Sequence, residues 1–222
     1  MGAESAAAPC EFYLIMKTNP LTIGIDLDNT IIRYDDLIYD IAVERGVIPK
    51  DMEKNKKKIR DHIRTLSEGD IGWQKIQGMI YGSMVHLAKP FPGVADFLKK
   101  CRDTSCKVYV ISHKTQYANY DDTKTDLRKT ALAWLSENFV NPDAGGLLDM
   151  ENIFFGATRR EKIDMIYRLH CHWFIDDLEE TFMEPGFPRQ TEKVLFGKGN
   201  EVLSKDVLAC ATWREIKEKV FG

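Results

Sequence analysis

Residues 21–27 (LTIGIDL) form a short apolar run rich in β-branched side chains, and the run breaks into the acidic, turn-forming pair Asp28-Asn29. A strand buried on both faces and leading into a loop reads this way. After residue 90 the texture recurs, now with helices in between. KVYVI (107–111), NIFF (152–155), HWFI (172–175) and KVLF (193–196) read as strands. Stripes at helical spacing cover 94–101, 127–139, 161–169 and 212–220. This alternation predicts an α/β chain whose doubly wound parallel sheet is covered on both faces by helices.

Residues 36–89 interrupt the alternation directly after the first strand. Three helical patterns fill them: Leu37, Ile38, Ile41 and Ala42; then Ile59, Ile63 and Leu66; then Ile76, Ile80, Met84 and Leu87. Strand signals are absent there, and Lys89-Pro90-Phe91-Pro92-Gly93 closes the block. The expected organisation is therefore a leader over 1–15, a core over 16–35 and 90–222, and an inserted helical subdomain over 36–89.

Composition removes several function classes. Thirty-one Lys+Arg against 34 Asp+Glu leave a net charge of −3. That balance argues against a nucleic-acid or membrane-surface partner. The basic run at 51–60 lacks interleaved aromatics and reads as a solvated helix face. No apolar run approaches the ~18 residues of a membrane span. The first fifteen residues lack a basic stretch and do not read as a secretory signal. Five cysteines (10, 101, 106, 171 and 210) share no zinc-ligand spacing, which points to free thiols in the cytoplasm. His170-Cys171-His172 leads into an apolar strand and has no second ligand pair, so it reads as structure.

The chemistry gathers at strand ends. The first strand delivers Asp26-Leu27-Asp28-Asn29-Thr30, the second Ser112-His113-Lys114, and a later one Asp176-Asp177. In an open α/β sheet, ligands bind beyond the carboxyl ends of the strands. Several carboxylates brought together there repel one another unless a cation offsets them. Mg²⁺ suits, since it takes few protein carboxylates and keeps oxygens of water and phosphate. Asp26 and Asp28, at i and i+2 on an extended strand, share a face. One can attack a phosphoryl group while the other moves the proton.

These motifs resemble the haloacid dehalogenase-like superfamily of phosphohydrolases. Asp26-Leu27-Asp28-Asn29-Thr30 is similar to its first motif, Ser112 to its second, and Asp176-Asp177 to its fourth. Lys162 in TRREKIDMI looks like the third, with Lys114 as a rival. The resemblance implies a core sheet of strand order 5-4-1-2-3 and a type C1 helical cap at the 36–89 insert. It implies Asp26 as nucleophile, Asp28 as acid and base, and Thr30 as support for the loop. Ser112 and Lys162, or Lys114, would hold the phosphoryl group. Mg²⁺ would sit on Asp26, the Asp28 carbonyl and Asp177 or Asp176. Asp28 favours phosphate esters over haloacids, because a halide leaves without a proton and an alkoxide needs one.

The activity so implied is Mg²⁺-dependent hydrolysis of a small phosphate monoester (a sugar phosphate, nucleotide or similar metabolite) through an aspartyl-phosphate. A phosphomutase or phosphotransferase shares every motif, and a catalytically idle phospho-ligand or protein-binding module of the same fold is a third reading. Candidate specificity residues are His113 and Tyr117 in the loop after Ser112, and Trp73 and Gln77 on the third helix of the insert. Trp73, Gln77 and Tyr81 follow an i, i+4, i+8 line toward the cleft.

Overall fold

The computed structural model describes residues 20–197 and 204–222. The expected leader, with Cys10, lies outside the described residues. Strand β1 (Thr22–Ile25) is buried along its whole length. Strands β2 (Ile32–Arg33) and β3 (Lys89–Pro90) pair antiparallel as a short ribbon. The other strands are β4 (Lys107–His113), β5 (Ile153–Gly156), β6 (Trp173–Asp176), β7 (Glu192–Phe196) and β8 (Val207–Cys210). With β1 they form one six-stranded sheet of order β5-β4-β1-β6-β7-β8, and every pair in it is parallel.

The five strands read from sequence thus lie in the order the resemblance implied. The sixth, β8, went unread. It is an edge strand of four residues, VLAC, with only Val207 β-branched or aromatic, and Leu208 within it is more than a third exposed. The winding reverses beside β1: the connection after β1 leads to β4 on one side, and that after β6 leads to β7 on the other. A crevice opens at such a switch, between the carboxyl ends of β1 and β6.

The sheet's centre is tightly filled. Ile23, Ile25, Val110, Ile111, Phe174, Ile175, Val194 and Leu195 have no exposed surface. Gly24 on β1 makes room for the Phe174 ring: a Cβ there would sit 2.6 Å from a Phe174 ring carbon and 2.9 Å from Cys171 Sγ. Neither neighbour can retreat from a packed core. Gly24→Ala is expected to cost about 1–3 kcal/mol by overpacking, measured as a lower denaturation midpoint; an unchanged midpoint would show that the centre yields.

Helices α1 (Asp35–Glu44), α2 (Lys56–Ile63) and α3 (Gly69–Tyr81) make the inserted block, entered through β2 and left through β3. Their apolar stripes face one another, with Ile38, Ile59, Ile63, Ile76 and Ile80 all buried. Asn55 caps α2 by accepting from Lys58 N at 3.0 Å. The stripe read as running from Ile76 to Leu87 ends early. Helix α3 stops at Tyr81 because Gly82 leaves helical backbone (φ −100°, ψ −107°), and Leu87 is 52% exposed. Leu66 likewise falls beyond α2 and is exposed.

The core helices are α4 (Val94–Asp103), α5 (Leu127–Leu135), α6 (Arg159–Arg168), the single turn α7 (Glu179–Phe182) and α8 (Trp213–Phe221). The helix expected over 127–139 narrows to α5 and continues as a π-turn over Ser136–Val140. His170-Cys171-His172 behaves as structure: His172 Nδ1 accepts from Thr22 N at 3.0 Å, and burial pushes the Cys171 thiol up to about 12. No described helix is long and apolar enough to cross a membrane.

Candidate active site

Three elements converge at the β1–β6 crevice. The backbone N–H of Asp26, just beyond β1, donates to Ile175 O at 2.8 Å, locking Asp26 beside β6. The chain then turns sharply: Ile31 N and Ile32 N both donate to Leu27 O, and Asn29 takes a left-handed conformation (φ 59°) that asparagine tolerates. The Thr30 side chain is fully buried, and its hydroxyl has no hydrogen-bond partner among the described residues.

Helix α6 brings the lysine. Thr158 caps it, accepting from Glu161 N at 3.2 Å, while Glu161 accepts in return from Ala157 N at 2.8 Å. This reciprocal pair is a variant of the capping box. It fixes the first turn of α6, from which Lys162 reaches into the crevice. Lys162 Nζ donates to Asp26 Oδ1 and to Asp176 Oδ2, at 2.6 Å each. Its side chain is 4% exposed. Asp176 Oδ1 accepts from Leu178 N at 2.9 Å, so both Asp176 oxygens are engaged.

Ligand oxygens of Asp26, Asp176 and Asp177 lie within 4.8 Å of one another. Three carboxylates therefore crowd together, two of them bonded to the ammonium of Lys162, while Lys56 acts on Asp177 from farther away. The imbalance shows in their proton affinities. Burial raises Asp26 to about 7; Lys162 works against that, while Asp176 and Asp28 add to it. Burial, then Asp26 and Asp176, also hold Asp177 well above the usual carboxylate range. Burial alone would lower Lys162, but Asp176 and Asp26 outweigh it and keep the ammonium charged. An all-oxygen donor set with excess negative charge fits a hard divalent cation.

A pH dependence follows. A carboxyl raised in the folded state binds more protons folded than unfolded between the ordinary value of 3.8 and about 7. Its contribution to stability is lost as pH rises through that window. A divalent cation held by these carboxylates would replace the missing protons. The upward shift in melting temperature on adding Mg²⁺ is therefore expected to be larger near pH 8 than near pH 5. A shift independent of pH would contradict this.

The second motif-one carboxylate has a different environment. Asp28 Oδ1 accepts from the Tyr34 hydroxyl at 2.8 Å, and Asp28 Oδ2 pairs with Lys114 Nζ at 2.7 Å. Burial, with the Asp28 charge beside it, raises Tyr34 well above the usual phenol value, so it remains a donor. The two lysines thus divide: Lys162 lies between Asp26 and Asp176, and Lys114 lies against Asp28. Ser112 is buried near the carboxyl end of β4.

A cavity of about 220 Å³ opens beside Asp28, between α3 and the loop after β4. Gln74, Gln77, Gly78 and Tyr81 line it from α3; His113 lines it from the end of β4, and Lys114, Thr115, Ala118 and Asn119 from the loop. Gly78 permits the approach, since a Cβ there would meet Ala118 Cβ at 2.8 Å. Asn119 Nδ2 donates to Gln74 Oε1 at 3.2 Å across the same seam. His113 and Gln77 lie at the cavity as expected, but two specificity candidates do not. Trp73 is 3% exposed and packs in the core of the helical block. The cleft-facing stripe is 74, 77, 78 and 81, and Trp73 sits about a quarter turn from Gln74. Tyr117 is 48% exposed and is not among the cavity-lining residues.

Tyr34 and Lys56 were not singled out from sequence. Tyr34 stands directly before α1, and Lys56 lies in the basic run taken as a solvated face. Lys56 Nζ instead donates to the Tyr81 hydroxyl at 2.9 Å. Tyr34 and Tyr81 stack with centroids 4.4 Å apart.

No protein-family model matches the chain, and no curated protein matches its sequence. Solved structures do match in fold. A haloacid dehalogenase-like family hydrolase from Streptococcus pneumoniae is 17% identical with a TM-score of 0.55, over 90% of this chain and 98% of that one. A predicted phosphoglycolate phosphatase from Haemophilus somnus is 11% identical with a TM-score of 0.54, over 92% and 99%. Protein Tyrosine Kinase A of Mycobacterium tuberculosis is 13% identical with a TM-score of 0.58, over 92% and 100%. With the six-stranded parallel sheet and the β1–β6 crevice, these matches show that the chain has the fold of haloacid dehalogenase-like hydrolases.

Proposed function

We propose that the chain is a Mg²⁺-dependent phosphatase acting on a small phosphate monoester through an aspartyl-phosphate on Asp26. The observation that carries this reading is the placement of Asp26: buried at the switch point, 2.6 Å from Lys162 and inside a three-carboxylate cluster. A HAD-hydrolase, YfnB from Bacillus subtilis, has been solved bound to magnesium and shares the fold at 9% identity and a TM-score of 0.53, over 92% of this chain and 100% of that one.

Asp26 and Asp177 are the residues to hold the cation, because both Asp176 oxygens are already hydrogen-bonded. When bound, the cation neutralises carboxylate and phosphoryl charge. The chain's own groups do the rest. A carboxylate oxygen of Asp26 attacks phosphorus while Asp28 gives its proton to the departing alkoxide. Asp28 then takes a proton from the water that hydrolyses the acyl phosphate. Lys162 and Ser112 stabilise charge on the phosphoryl oxygens. Thr30 supports the turn that carries Asp28. The helices over 36–89 act as a cap that shields the intermediate from bulk water.

The cavity is below the ~300 Å³ lower bound usual for ligand pockets. It fits a compact leaving group, and its amide and hydroxyl lining suits hydroxyls on that group. The test is phosphate release from p-nitrophenyl phosphate and from a panel of phosphorylated metabolites, with and without EDTA. Turnover that chelation abolishes and Mg²⁺ restores supports the reading. Turnover unaffected by chelation, or none on any substrate, overturns it.

A further inference from the structure

Resting on the phosphatase reading, we infer that Tyr34 is a positioning residue that holds the Asp28 carboxylate so that Oδ2 is the oxygen that transfers the proton. The two Asp28 oxygens are not equivalent. Oδ1 accepts from the Tyr34 hydroxyl at 2.8 Å, and Tyr34 has no exposed surface. Oδ2 faces Lys114, and Asp28 and Lys114 both line the cavity where the leaving group sits.

The partners also differ in permanence. Lys114 Nζ is an ion-pair partner of Oδ2 but makes no aligned hydrogen bond among the described residues. A phosphoryl group seated against Asp26, with its leaving group in the cavity, competes for that ammonium and leaves Oδ2 facing the ester oxygen. Tyr34 has no such alternative. Its ring stacks on Tyr81 of α3, and its position directly before α1 fixes its backbone. A carboxylate anchored through one oxygen presents the other in a single direction. That is the geometric requirement for proton transfer to the leaving oxygen.

In the step concerned, the bond from Asp26 oxygen to phosphorus forms as the bond from phosphorus to the leaving oxygen breaks. Asp28 Oδ2, released as Lys114 turns to the phosphoryl group, takes up a proton from solvent before this step and passes it to that leaving oxygen. Ethoxide needs this proton, whereas p-nitrophenolate departs without it. Leaving-group dependence therefore separates positioning of Asp28 from general damage to the site.

The experiment compares wild type and Tyr34→Phe on ethyl phosphate and p-nitrophenyl phosphate. The readout is kcat/KM, which ends at the first irreversible step and so excludes hydrolysis of the acyl phosphate. Phenylalanine keeps the ring and its stack on Tyr81 and removes only the hydroxyl. We expect kcat/KM for ethyl phosphate to fall about tenfold or more, part of the usual general-acid contribution, with a fall of less than about threefold for p-nitrophenyl phosphate. Equal falls on both substrates, no fall on either, or loss of the fold would each overturn the inference, since the hydroxyl would then be structural or idle. A wild-type protein that turns over neither these esters nor any member of the metabolite panel overturns the phosphatase reading itself, a result distinguishable from all three.

Discussion

Lys162→Met is expected to destabilise the fold by about 3–5 kcal/mol, the usual cost of removing one partner from a buried charge network. Lys162 is 4% exposed, Asp26 7% and Asp176 0% at the side chain, so solvent screens these pairs little. Methionine fills the space but leaves two buried carboxylates without their ammonium. Equilibrium urea unfolding of both chains measures the loss. The lysine is raised in the folded state, so its stabilising contribution is complete below the ordinary value of 10.5 and is lost only as pH rises through its folded value. Between pH 5 and 8 the lysine itself does not titrate. Asp26 does, and it takes up a proton as pH falls through about 7. The penalty of Lys162→Met is therefore smaller near pH 5 than near pH 8. A loss below about 1 kcal/mol at both values would show that water or a bound ion already compensates the carboxylates.

Asp26→Asn is expected to lower kcat by about 10⁴-fold or more, as removal of a covalent nucleophile does. Here the fold is not at risk. Asparagine relieves one of three crowded carboxylates and leaves Lys162 bonded to Asp176. The melting temperature in chelator should hold or rise, because burial already penalises charge on Asp26. Steady-state hydrolysis and thermal melting together separate a chemical defect from a structural one. Retained turnover would remove Asp26 from the mechanism.

The sheet was legible because its strands are buried on both faces and so read as unbroken apolar runs. Ile23, Ile25, Phe174 and Ile175 announce themselves this way, and the carboxylates follow directly at their ends. Strand β8 went unread although VLAC is wholly apolar, because only Val207 in it is β-branched or aromatic, the content that marked the other strands. Helix ends were missed where a single backbone departure decides them, as at Gly82. In the site, Asp26, Asp28, Lys162 and the Asp176-Asp177 pair were legible because strand and helix termini place them. Trp73 was misplaced because an eight-residue spacing drifts about 80° around a helix, and the cleft follows 74, 77, 78 and 81 instead. Tyr34 was invisible for another reason. Its role depends on a turn that folds residue 34 back onto residue 28, and no periodicity encodes that contact.

The role of Asp26 as nucleophile is tested most directly by rapid acid quench during turnover of p-nitrophenyl phosphate with Mg²⁺, followed by mass mapping of the peptides. The account predicts one phosphoryl group on the peptide containing Asp26, absent in Asp26→Asn and absent in EDTA. Turnover with no such adduct, or an adduct on any other residue, would contradict it.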